Sequence, residues 1–88
     1  MKRYYIQFIG RVQGVGFRYT LYELANKYKM TGYCRNMSNG NVEVEIQGEN
    51  FYGFLKELFE PRHFISIEDY VLKEIPVDLY ESKFTVEY

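Results

Sequence analysis

The sequence predicts an α+β sandwich in the order β-α-β-β-α-β with one added strand, an antiparallel sheet of four to five strands carrying two helices on one face. Three observations carry this expectation. Two stretches repeat their apolar residues at three and four, the helix period, and each follows a strand-like run. Asn39-Gly40 stands between two strand-like runs, where a hairpin turn belongs. The alternation of Val42, Val44 and Ile46 with polar residues marks a strand that buries one face only, so both helices are expected to cover the same side of the sheet.

Taken in order, YYIQFIG (residues 4–10) is β-branched and aromatic and suits a strand with at least one well-buried face. Beyond a glycine-rich stretch, Phe17, Leu21, Leu24, Ala25 and Tyr28 fall at helical spacing. Thr31-Gly32 is expected to end that helix, with Lys27 and Lys29 favouring the negative end of its dipole. GYCRNMSNGNVEVEIQGE (32–49) reads as a hairpin. Asn39-Gly40 suits a type I′ turn, which needs positive φ at both residues, and the face carrying Asn41, Glu43, Glu45 and Gln47 is expected to be solvated. Asn50 is placed to cap a second helix built on Phe51, Phe54, Leu55 and Leu58 and ending near Glu60-Pro61, with Gly53 weakening it. FISIEDYVLKEI (64–75) is a long strand whose alternation slips around Glu68-Asp69, so a bulge is expected there, and Pro76 closes it. FTVEY (84–88) makes a last short strand.

At 88 residues the chain is expected to be a single domain over 1–88, burying about 60–70% of the surface its unfolded form exposes. Hydrophobic residues at 47% and charged residues at 26% exclude disordered and fibrous classes. Eleven basic and twelve acidic residues leave a net charge of −1, so no sustained positive field collects nucleic acid or anionic lipid, and any anion site must be local. The single cysteine, Cys34, cannot form an internal disulfide, which fits a reducing compartment. MKRYYIQFIG imitates a signal peptide only until Gln7 and Gly10 break it. No stretch approaches the ~20 apolar residues of a membrane span. A cytoplasmic monomer with neither a nucleic-acid nor a membrane partner is expected.

GRVQGVGFR (10–18) concentrates three glycines and two arginines between a strand and a helix. Such a junction exposes main-chain N–H groups at the positive end of the helix dipole, and glycines let several of them point at one anion. Arg18, in the helix's first turn, can clamp two phosphate oxygens with its planar fork. The simpler reading is a tight connection with an exposed arginine. Two other phosphate motifs do not fit: the Walker pattern needs Gly-Lys-Ser/Thr where Gly16-Phe17-Arg18 stands, and a dinucleotide fingerprint from Gly14 would need glycine at Tyr19.

GRVQGVGFR, followed by GYCRN (32–36) and by Gly40-Asn41-Val42 in a run ending at Gly48, resembles the paired signature of the acylphosphatase family over essentially the whole chain. Tyr33 stands where the family often has Trp, and Glu60-Pro61 where it often has Gly-Pro. The resemblance implies a ferredoxin-like fold and hydrolysis of a carboxyl phosphate to carboxylate and inorganic phosphate. It implies a phosphate cradle formed by Gln13, Gly14, Val15, Gly16, Phe17 and Arg18, with the attacking water positioned by Asn36. It implies a small-molecule acyl phosphate as substrate, inorganic phosphate or sulfate as competing anions, no cofactor and no metal. An acyl phosphate has a good leaving group, so positioning and charge stabilisation suffice for its hydrolysis.

Other candidates have plainer readings. Asn36 alone would be a hairpin or capping residue. Cys34 shares its strand face but has no histidine partner in the sequence and reads as packing. His63, the one histidine, reads as solvated, and Glu43, Glu45 and Glu49 as a solvated face. A nucleic-acid module on this fold is disfavoured by the acidic strand NVEVEIQGE. A non-catalytic module binding phosphate or carbamoyl phosphate, as in larger maturation proteins, is disfavoured because the chain stops at Tyr88.

Overall fold

The computed structural model describes residues 1–62 and 64–87. Seven elements run β1 (Lys2–Arg11), α1 (Phe17–Lys27), β2 (Thr31–Asn36), β3 (Val42–Gly48), α2 (Phe51–Leu58), β4 (Ser66–Ile75) and β5 (Phe84–Glu87). The expectation for His63 lies outside the described residues, as does the Tyr88 end of the last strand. The strands form one sheet in the order β4-β1-β3-β2-β5. β1–β3, β1–β4 and β2–β3 are antiparallel, whereas β5 joins β2 in parallel, which makes the five-stranded sheet mixed. Because β3 lies reversed between β1 and β2, those two run the same way, and same-direction strands need a crossover. α1 supplies it, and α2 does the same between β3 and β4.

The alternation that predicted the strands sorts the sheet into two faces. Ile6, Phe8, Cys34, Val42, Val44, Ile46 and Phe84 meet Phe17, Leu21, Leu24 and Ala25 of α1 and Phe54 and Leu58 of α2 in one buried cluster. Both helices therefore sit on one face, as expected. The opposite face is not the solvated one predicted: Glu43 and Gln47 are buried there. Glu43 accepts from Tyr5 and Arg35. Arg3 donates to Glu45 Oε1, to Gln47 Oε1 at 3.0 Å and to Glu81 at 2.7 Å, while the main chain of Asp78 bonds both ends of the Gln47 amide. The polar pattern was legible; its cover comes from residues far along the chain.

The bulge is where the slip in alternation placed it. Ile9 pairs with Asp69 but Gly10 with Ile67, which leaves Glu68 as the extra residue. The hairpin turn differs from the type I′ expected, because Gly40 has φ 95° and Asn39 is not among the residues with positive φ. Gly40 N donates to Met37 O and Met37 N to Asn41 O, so the loop has three residues, a turn followed by glycine in the left-handed region. α1 ends earlier than expected. Lys29 takes φ 56°, and Lys29 N and Met30 N donate back to Asn26 O and Ala25 O, which is the Schellman pattern. Gly32 is needed for another reason: a Cβ there would lie 1.9 Å from Glu45 O on β3. Asn50 occupies the N-cap of α2, yet its side chain makes no capping bond. No helix among the described residues is long and apolar enough to cross a membrane.

Candidate active site

Strand direction decides what meets at one end of the sheet. β1, β2 and β5 all run the same way, so their C-terminal ends share one edge. There the loop after β1, the last residue of β2 and the last residues of β5 surround a hollow of about 240 Å³. This is smaller than the ~300–1,000 Å³ of clefts that take drug-sized ligands. Gly14, Gly16, Phe17, Arg18 and Asn36, all predicted for the site, line it. Val12, Tyr19 and Val86 complete the wall and were not predicted. Tyr19 was within reach of sequence reasoning as Arg18's neighbour in the first helical turn. Val86 carried no signal, because it arrives only through the parallel docking of β5.

The loop owes its path to two left-handed glycines, Gly14 at φ 71° and Gly16 at φ 80°. Gly16 is the N-cap of α1, so no side chain caps the helix, and its first turn holds no acidic residue. The main-chain N–H groups at this positive end of the dipole thus meet no carboxylate from their own turn. Thr20 fastens the turn from inside the helix, its N and Oγ1 both donating to Gly16 O, at 3.0 and 3.1 Å.

Arg18 is half-buried at the rim, and its Nη1 donates to the main-chain carbonyl of Glu87 at 3.0 Å, which steadies the guanidinium against the end of β5. Asn36 is exposed at the end of β2. Its pairing with Val42, and that of Cys34 with Val44, puts both on the helix side of the sheet. Two predicted residues do not line the hollow with their side chains. Val15 packs on the core, and the Gln13 amide donates to Met37 O and Asn41 O.

Cys34 is buried, with Sγ 4.0 Å from Arg18 O. Burial pushes its thiol up to about 12, against a smaller opposing pull from Arg18, so it is a neutral packing group at neutral pH and not a nucleophile. Glu43 and Glu45 are engaged on the far face, Glu43 with Arg35 at 2.8 Å and Glu45 with Arg3 and Tyr33. Among the described residues no three His, Cys, Asp or Glu side chains cluster as metal ligands.

A family model for acylphosphatase matches residues 4–86. The chain belongs to the acylphosphatase family. An acylphosphatase of Clostridium acetobutylicum is 43% identical over 90 residues, spanning 100% of this chain and 99% of that protein. The crystal structure of acylphosphatase from Bacillus subtilis matches with a TM-score of 0.91 at 31% identity, each chain covered over 100%. T. kodakarensis HypF also matches, with a TM-score of 0.86 at 28% identity over 100% of this chain but only 12% of its own. The acylphosphatase family and the ferredoxin-like arrangement therefore agree over the full described chain.

Proposed function

We propose that the chain is an acylphosphatase that hydrolyses the mixed anhydride of an acyl phosphate. The phosphoryl group is held by the main chain of the loop over Gln13, Gly14, Val15, Gly16 and Phe17 and by the guanidinium of Arg18. Asn36 holds the water. The water's oxygen bonds to phosphorus as the bond from phosphorus to the acyl oxygen breaks; the acyl part leaves as carboxylate, and both of the water's protons leave on inorganic phosphate. Charge spread over the phosphoryl oxygens meets N–H donors and a cation already in place, so the work is positioning and electrostatic stabilisation. The reaction is read as metal-independent, since those donors occupy the role a cation would fill. The reading takes the chain as a cytoplasmic monomer for which phosphate and sulfate compete with substrate.

The single observation that supports it is the meeting of Gly14, Gly16, Arg18 and Asn36 around one small hollow at an uncapped helix N-terminus. The test separates the two side chains by their jobs. Arg18 touches the phosphoryl group in ground and transition states alike, so Arg18→Ala should weaken phosphate binding and slow hydrolysis. Asn36→Ala should leave phosphate affinity nearly unchanged while kcat falls on the order of 10²–10³, the worth of one well-placed donor. The measurements are calorimetric phosphate titration and kcat on an acyl phosphate. An Asn36→Ala protein with the wild-type rate, or one unable to bind phosphate, removes the water-positioning role.

A further inference from the structure

Hydrolysis as proposed needs the glycine loop and Asn36 held at a fixed separation, although they belong to different elements. We infer that Gln13 is a positioning residue that clamps the loop to the hairpin carrying Asn36, an inference that rests on the hydrolytic reading. Its amide nitrogen has two hydrogens and uses both: Nε2 donates to Met37 O at 2.7 Å and to Asn41 O at 2.8 Å. These two carbonyls close the hairpin loop, and Met37 directly follows Asn36. Each already accepts one main-chain bond, Met37 O from Gly40 N at 3.2 Å and Asn41 O from Met37 N at 2.8 Å, so Gln13 takes the second lone pair of both. Chemistry settles the orientation of the amide, because a flipped group would set its oxygen against two carbonyl oxygens.

The clamp is part of a closed circuit. Asn41 N donates to Asn39 Oδ1 at 3.0 Å, and Asn41 Nδ2 donates to Gln7 Oε1 at 2.6 Å. Gln7 stands on β1, the strand that leads into the loop. Loop, Gln13, hairpin, Asn41, Gln7 and β1 thus brace one another in a ring. None of the side chains of this ring lines the hollow, so the ring acts on the reaction by fixing where Asn36 stands relative to the phosphoryl group.

The experiment measures kcat on an acyl phosphate, inorganic phosphate affinity and melting temperature for the wild type, Gln13→Met and Gln13→Glu. Gln13→Met keeps the side chain's length and loses both donors. Its kcat should fall about 10- to 100-fold, since misplacement by an ångström is worth that order. Phosphate, which touches only the loop and Arg18, should bind within about threefold of the wild type, the signature of a loss confined to the transition state. A merely structural role would lower the melting temperature and leave kcat per folded molecule unchanged. Gln13→Glu aims a carboxylate at two carbonyls at neutral pH; as pH falls through the carboxylate range, ordinarily near ~4.3, it regains one O–H donor, and its kcat relative to the wild type at the same pH should rise. Wild-type kcat in Gln13→Met, parallel loss of kcat and phosphate affinity, or a flat ratio for Gln13→Glu overturns the positioning role alone. A wild type that binds phosphate but hydrolyses no acyl phosphate overturns the hydrolytic reading and this role with it.

Discussion

Replacing Gly32 by alanine should break the sheet, whereas replacing Gly16 should leave it standing and damage the site. An added Cβ at Gly32 would stand 1.9 Å from Glu45 O and 2.9 Å from Ile46 Cα, both main-chain atoms of β3. Van der Waals contact lies near ~3.5 Å, so β2 and β3 would have to part by roughly 1.5 Å, more than their hydrogen bonds tolerate. The cost falls in the exceptional class above about 4 kcal/mol, a large share of the ~5–15 kcal/mol that holds a domain together. At Gly16 the same Cβ meets no atom within 4 Å, and only its φ of 80° is strained. A left-handed alanine costs about 1–2 kcal/mol, offset by about 0.4–1 kcal/mol from a stiffer unfolded chain. The net is about 1 kcal/mol, or ~4–8 °C of melting temperature for a domain of this size. Thermal unfolding by circular dichroism reads the stability, and phosphate titration with kcat reads the site, where Gly16→Ala should weaken phosphate binding by placing a methyl beside the hollow. A Gly32→Ala protein melting within ~8 °C of the wild type, or a Gly16→Ala protein less stable than Gly32→Ala, would refute the reasoning.

Lys29→Gly should raise stability by about 1 kcal/mol, because an exposed lysine holds the left-handed position of a Schellman motif; melting temperature checks it, and kcat should not change. Phosphate and sulfate should each stabilise the fold by mass action, by about 2.7 kcal/mol at a hundredfold excess over Kd, and so raise the melting temperature; an unchanged scan against a buffer of equal ionic strength removes the cradle. Hydrolysis should persist in excess EDTA, and activity lost there but restored by Mg²⁺ contradicts the mechanism. Cys34, buried and with its thiol pushed up to about 12, should resist iodoacetamide at a pH near 8 where an ordinary thiol is partly ionised, and react only on unfolding.

What was legible in the sequence was local. The helix periods of Phe17–Leu21–Leu24–Ala25 and of Phe51–Phe54–Leu58 are set within a few turns, and the bulge at Glu68 shows as a break in a two-residue alternation. Turn type and helix ends were harder. Asn39-Gly40 marks a hairpin, yet which residue takes positive φ depends on where the strands close, and here Gly40 alone does. Gly32 resembles a helix stop, but it serves the approach of β3 while Lys29 ends α1. Long-range features were out of reach altogether: Arg3 bonding Glu45, Gln47 and Glu81, the main chain of Asp78 bonding Gln47, and Glu87 O meeting Arg18. The glycine-rich motif brought Arg18 and the loop into view together, but a motif does not sort its residues by job. Gln13 stands in it beside glycines that line the hollow, and its side chain faces the hairpin. Only the two short bonds to Met37 and Asn41 distinguish a residue that holds the site in shape from those placed to touch a ligand. It follows that substituting Gly14, Gly16 and Arg18 on the one hand and Gln13 on the other should yield two kinetic classes, the first losing phosphate affinity and the second losing kcat alone.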